Sequence, residues 1–244
     1  MIAPFEVLLP AGAIGFYLYD AAQLLHGNEL LLGRSAGRWS ADGGSDLRMG
    51  ARRVALPWPF APQRSLYRVA WSERDARPAI APAQLTALED FERALAPLRG
   101  FVLALLGLLL FALPAASLLL GAGWTLLGVF AAYYLLVLVM LLVLHLRRGR
   151  LGLDRRAYWS LAIDAIACAP FAINLVRKLT LRRGLEGGPL AFVRRQLDST
   201  TRAAVFSIVR ERVAEELWRE PADSARRREL ETFLQGLEAE VPAP

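Results

Sequence analysis

Ser160, Asp164 and Cys168 recur every fourth residue, so a helix would set a hydroxyl, a carboxyl and a thiol along one face. A serine or cysteine nucleophile needs a base within hydrogen-bond reach. The chain has two histidines; His26 is remote and His145 could approach only through the fold. The stripe is therefore expected to meet another helix rather than to carry out catalysis. Asp20, Gln23, His26, Asn28 and Glu29 form a second polar cluster. His26 and Glu29, three residues apart, could share a helical face, but a metal site needs more ligands at better spacing. The expectation is a helix end whose polar groups cap carbonyls and meet lipid head groups.

The one cysteine excludes an internal disulfide and a cysteine-based zinc site. Phosphate-binding glycine loops, HExxH, CxxC and GxSxG patterns are all missing from the sequence. No cofactor or metal is expected.

These residues must be positioned by apolar segments. Gly100 to Leu144 is a run of 45 residues without a charged side chain. It divides at Gly121-Ala122-Gly123 into Phe101–Leu120 and Trp124–Leu144. Each arm would make a helix about 30 Å long, the thickness of a bilayer core. The short link forces an antiparallel hairpin, Trp124 suits an interfacial anchor, and Pro114 should bend the first arm. Val7–Leu25 is a third apolar stretch, read as a crossing with its N-terminus outside, with an interfacial helix as the alternative. No basic residue precedes it, so a cleavable signal peptide is not expected. Asp20 should face protein or the water boundary. Tyr158–Leu175, a fourth stretch, contains Asp164, Pro170 and Asn174. It is read as interfacial, re-entrant or packed on protein.

Charge sets the orientation. Of 29 basic residues only Lys178 is lysine. Arginine in such excess, with abundant Ala, Leu, Gly and Pro, points to a GC-rich bacterial genome. Residues 146–202 carry 12 basic and 4 acidic side chains, a net of +8, whereas residues 203–244 carry 6 and 9, a net of −3. Arginines flank both ends of the hairpin and the link has none, which places the ends in the cytoplasm. Arg147, Arg148, Arg150, Arg155, Arg156, Arg177, Lys178, Arg182 and Arg183 are the candidate contacts to anionic lipid. No nucleic-acid recognition motif accompanies the basic block.

Between the first apolar stretch and the hairpin, short strand-like runs such as Ser65–Trp71 alternate with Gly, Asp and Pro, and Ser40–Gly44 reads as a turn. Pro57–Pro62 is rigid and aromatic. Pro82–Leu98 reads as an amphipathic helix with Pro97 as its break. After Gly187-Gly188-Pro189 comes one long amphipathic helix to about Trp218, then a second capped by Asp223 or Ser224.

The sequence thus predicts a mostly α integral membrane protein. Its parts are an N-terminal membrane helix (1–28), a small β-rich cytoplasmic unit (29–81), an amphipathic helix (82–99), a transmembrane helical hairpin (100–145), a basic juxtamembrane region (146–188) and C-terminal amphipathic helices (189–244). It is expected to lie in a bacterial inner membrane as a multi-pass protein with a cytoplasmic C-terminus. A non-catalytic scaffold or assembly subunit that binds lipid and a protein partner, or itself, fits best. The alternatives are an enzyme acting on lipid head groups and an oligomeric channel or transporter subunit.

Overall fold

The computed structural model of the chain describes residues 5–72, 82–118, 123–183, 185 and 189–240. Most of the hairpin link, the Gly187-Gly188 pair and the end from Val241 onward lie outside the described residues. The described chain is mostly helical, with a small sheet region. Its contacts group into two discontinuous units: Met1–Gln23, Leu56–Ser65 and Thr86–Arg182 form unit 1, and Leu24–Ala55, Leu66–Leu85 and Arg183–Pro244 form unit 2. A few short strands cannot bury an apolar face alone, so here they share a core with helices far along the chain.

Unit 1 holds α1 (Phe5–Ala21) and most of α2 (Pro82–Gly107). It also holds a π-helical turn (Leu108–Ala112), α3 (Leu113–Leu118), α4 (Trp124–Arg147) and α5 (Arg155–Ala167). A 3-10 turn (Ala169–Asn174) and α6 (Leu175–Arg183) complete it, apart from Arg183. α2 runs through Pro97 without the expected break. Proline removes one ladder hydrogen bond, and the buried row Phe91, Leu95, Leu98, Val102 and Leu105 holds the helix across the gap. Pro114 has a different effect. Its ring opposes the Leu110 carbonyl one turn earlier, and the π turn just before it widens the ladder there. Leu85–Leu118 is a continuous helical run of 34 residues, and α4 has 24. By length and composition both are long and apolar enough to cross a membrane, yet only 39% and 22% of their most apolar windows are buried inside the protein. Leu127, Leu135, Leu138 and Leu142 of α4 and Phe5, Val7, Leu8 and Phe16 of α1 face outward.

Among the described residues, unit 2 contains two three-stranded sheets, apart from Gln23 and Ser65 at the strand starts. One orders β1 (Gln23–Leu25), β5 (Arg52–Ala55) and β4 (Arg48–Met49). The other orders β3 (Arg38–Asp42), β2 (Glu29–Ser35) and β6 (Ser65–Ala70). β2 and β3 pair antiparallel, Gly33 opposite Ser40, around Ala36-Gly37 with φ of 49° and 78°. Both central residues are left-handed, as a tight hairpin requires. β3 extends to Asp42, so the turn expected over Ser40–Gly44 is confined to Asp42–Gly44, where Gly44 donates its N–H to Asp42 Oδ1 at 2.8 Å. α7 (Pro189–Gln196), α8 (Ser199–Arg219) and α9 (Ala225–Glu240) complete the unit. Leu30, Leu32, Val69 and Trp71 pack with Phe192, Phe206, Val209, Val213 and Leu230 in one core.

The long helix expected up to Trp218 is two helices. The Asp198 carboxylate accepts the Thr201 N–H at 2.9 Å and starts α8. That restart resets the helical phase, so Val205, Val209 and Val213 are buried while Ile208 is only half-buried. Ser224 Oγ accepts the Arg227 N–H at 3.0 Å and caps α9.

Candidate functional site

Several polar groups that unit 1 buries gather where α1 ends and α6 begins. Asp20 lies one residue before the end of α1, and the 3-10 turn delivers Asn174 beside it. Lys178 Nζ reaches Asp20 Oδ1 at 2.8 Å, and Asn174 Nδ2 donates to Asp20 Oδ2 and to the Tyr17 carbonyl, both at 3.1 Å. Asn174 Oδ1 accepts from Arg177 at 3.3 Å. Arg177, 2% exposed, donates its other terminal nitrogen to the carbonyls of Trp58 and, at 3.0 Å, Ala61. The Tyr17 hydroxyl donates to the Pro59 carbonyl. Lys178 Nζ also stands 4.8 Å above the Phe171 ring, a favourable place for a cation.

The Pro57–Pro62 segment is thereby tied to the helices through its backbone. Proline-rich chain lacks its own N–H donors, and Arg177 supplies donors to its carbonyls. The Trp58 and Phe60 rings stay exposed, edge to face at 5.4 Å. Within the cluster the lysine faces a carboxylate and two nitrogens of the arginine face oxygens, while the buried Arg177 Nε has no protein partner among the described residues. Asp20 does face protein, as expected. Its partners 154 and 158 positions later lie far beyond any sequence pattern.

α5 runs antiparallel to α4. Near its start the Tyr158 hydroxyl approaches the Leu141 carbonyl at 3.4 Å, and just past its end the Ala169 carbonyl faces the Tyr133 hydroxyl, also at 3.4 Å. The chain then turns back through Ala169–Asn174 towards the end of α1, which makes a helical hairpin against α4. Tyr158, Leu161, Ala162 and Ala165 face inward. Ser160 and Asp164 face outward beside exposed Trp159, Ile163 and Ile166, and Cys168 is half-buried at the tip. Ser160 and Asp164 of the stripe thus meet no helix among the described residues, and only Cys168 turns towards α1 and α4. Inward positions are taken by the residues that fit against α4, which leaves the serine and aspartate outside. Asp164 lies between the two contacts to α4, hence beside the middle of that helix.

The basic candidates separate. Arg148, Arg150, Arg155, Arg156 and Arg182 are exposed and Arg147 is half-buried. These gather at one end of unit 1, where α4 ends, α5 starts, and Arg182 reaches the Ala157 carbonyl at 3.4 Å. Arg177 and Lys178 turn inward, and their ties to carbonyls and to Asp20 replace the lipid contacts expected of them. Arg183 is exposed and belongs to unit 2.

His26 and Glu29 share no helical face. α1 stops at Ala21; His26 sits between β1 and β2 and Glu29 opens β2, where it accepts the His26 backbone N–H at 2.9 Å and pairs with Arg68 at 3.8 Å. Asn28 pairs with the Trp71 backbone in both directions, at 3.0 and 3.1 Å. Strand pairing thus captures a segment that α1 would otherwise have extended into. Among the described residues no three His, Cys, Asp or Glu side chains gather as a metal site.

Unit 2 has its own ionic knot. Arg53, 6% exposed at the side chain, lies against Asp46 at 3.1 Å, Glu211 at 3.9 Å and Glu215, which also receives Arg48 at 2.9 Å. Burial pulls the Arg53 guanidinium down, but the hydrogen bond and charge of Glu215 outweigh it and leave it above its ordinary value. The same hydrogen bond holds the Glu215 carboxyl below its ordinary value. Buried Arg212 donates to the Gly43 carbonyl at 2.7 Å, tying the turn after β3 to α8. Comparison with protein-family models, curated proteins and solved structures finds no match to the chain.

Proposed function

We propose that the chain is a multi-pass protein of the bacterial inner membrane and a non-catalytic subunit of a membrane assembly. Unit 1 is its anchor, with the basic end and unit 2 in the cytoplasm. α1, the α2–α3 run and α4 cross the bilayer, and the hairpin of α5 and the 3-10 turn enters it from the cytoplasmic side without crossing. The outward leucines of α4 support this reading, because an apolar helix this exposed would be unstable in water. So does the placing of tryptophan. Trp124 opens α4 exposed, and exposed Trp159 follows Tyr158, whose hydroxyl meets the Leu141 carbonyl towards the far end of α4, a spacing of about 25 Å that suits two interfacial belts. The exposed arginines at the Trp159 end follow the positive-inside rule.

The observation that carries the subunit reading is Asp164. An exposed carboxylate beside the middle of a crossing helix is costly in lipid and calls for a polar partner. The chain's own cation nearest in role, Lys178, is committed to Asp20. That pairing also removes Asp20 from the lining of a pore, which favours a subunit over a channel. The partner is therefore a transmembrane segment with a basic or hydrogen-bonding side chain at that depth.

Asp164→Leu is the test. Wild type should stay in the membrane pellet after alkaline carbonate washing and migrate in mild detergent as a complex larger than one chain. Asp164→Leu should stay in the pellet but migrate as the single chain, with Asp164→Asn in between. Release by carbonate defeats the anchor. An unchanged complex in Asp164→Leu defeats the interface.

A further inference from the structure

Unit 1 contains a cavity of about 400 Å³ that opens to its surface. α1 contributes Gly12 and Phe16, α3 Leu113, α4 Phe130 and Tyr133, and the tip of the α5 hairpin Cys168. No charged side chain lines it. It spans Leu8 to Phe16 of α1, about 12 Å at 1.5 Å per residue, and Val129 to Tyr134 of α4, about 8–15 Å below Trp124. Resting on the membrane reading above, this depth is hydrocarbon, in the leaflet on the Trp124 side.

Such a space does not stay empty in a bilayer. A void forfeits dispersion contacts on every wall, and a cavity whose lining is mostly apolar, with only the tyrosines and Cys168 to offer a polar side-chain atom, holds water poorly. Helix association in lipid gains nothing from the hydrophobic effect itself, so shape decides what fills the gap. At roughly 30 Å³ for a water-sized group, the volume takes a segment of about a dozen methylenes. Glycine at position 12 helps keep the space open: a Cβ there would meet nothing within 4 Å.

We infer that this cavity is a binding site for one acyl chain of a bilayer phospholipid from the Trp124-side leaflet. The chain lies along α1 past Gly12 and Phe16, and its end abuts Cys168 and Pro170 at the hairpin tip. The head group stays at the interface, since the cavity walls offer it no counter-charge. The bound lipid completes the packing of α1 against α4 and the hairpin tip.

The test uses the full chain reconstituted in vesicles that contain a phospholipid with a diazirine near the middle of one acyl chain. After irradiation, labelled peptides are mapped by mass spectrometry. Labelling per residue on Gly12–Phe16 and Ala167–Pro170 should exceed that on the outward face Leu135–Leu142 at least threefold. Gly12→Phe, which fills the cavity, should bring the ratio to about one and leave Leu135–Leu142 unchanged. Val129→Trp fills it from α4 and should do the same if Gly12→Phe fails to accumulate. Equal labelling of both regions in wild type, or a ratio that neither substitution lowers, overturns the site. Absence of label on Leu135–Leu142 as well overturns the membrane reading instead.

Discussion

Unit 2 buries Arg53 and Arg212 and unit 1 buries Arg177. Arg212, like Arg177, donates to a backbone carbonyl, so the contrast between the units lies between Arg53 and Arg177. Arg53 of unit 2 faces three carboxylates, and the rest of that unit follows the same logic, with Leu32, Trp71 and Phe206 inside and its ion pairs towards water. Arg177 of unit 1 faces an amide oxygen and two backbone carbonyls, while the leucines of α4 face out. Where water is at hand, a paired charge is inexpensive and the apolar side chains gather away from it. In unit 1, where the helices carry apolar side chains outward, Asp20, Asn174, Arg177 and Lys178 turn inward and pair with one another and with backbone carbonyls, while Asp164 stays outside.

The largest contrast comes from one substitution made in both places. Leu32→Ala opens a void in the core of unit 2 and should cost about 2–5 kcal/mol. Leu138→Ala, on the exposed face of α4, should cost less than about 0.5 kcal/mol in a bilayer. Hydrogen exchange of α8 and α4 peptides reads both. A comparable loss at Leu138 would mean that its face packs on protein.

Next is the Asp20–Lys178 pair. Breaking a largely buried pair leaves one charge alone, so Lys178→Ala or Asp20→Ala should each destabilise unit 1 by about 3 kcal/mol. The double variant should lose less than the sum of the two. Denaturant titration of the detergent-solubilised chain gives the coupling. Single losses below about 1 kcal/mol would show that water screens the pair, as it does at an open surface, and would erase the contrast between the units.

The smallest effect is acid sensitivity in unit 2. The folded Glu215 carboxyl titrates below its ordinary value of 4.5, so between the folded and unfolded values the unfolded chain binds more protons. Its stabilisation is then complete above about pH 5 and fades as pH falls through the folded value. Glu215 is a third exposed, and screening keeps the effect near 1 kcal/mol. Glu215→Gln should flatten the dependence of α8 exchange protection on pH between 5 and 3. A slope unchanged by this substitution would assign the acid response to other carboxylates.

Much of the architecture was legible from local pattern. The uncharged run shows the two long helices because length and apolarity are local properties, and the alternation in Ser65–Trp71 marks β6. Ser224 and Asp198 both have cap chemistry, but Asp198 sits inside a continuous apolar stripe, so the restart of the helix there goes unread. Pro97 and Pro114 look alike as letters. Only the packing around them decides that one is absorbed in a straight ladder and the other meets a π turn.

By itself the sequence determined where the long apolar helices lie, where basic residues concentrate and which carboxylates sit in apolar stretches, since these follow from composition and period. The tertiary structure alone decided which of those polar residues are spent inside the protein. Asp20 meets Lys178, Arg177 meets the carbonyls of Trp58 and Ala61, and Asp164 is left outside. The strands and the C-terminal helices share one core for the same physical reason. Such pairings join positions more than a hundred residues apart, and no local pattern records which distant group will be there to receive a charge or cover an apolar face.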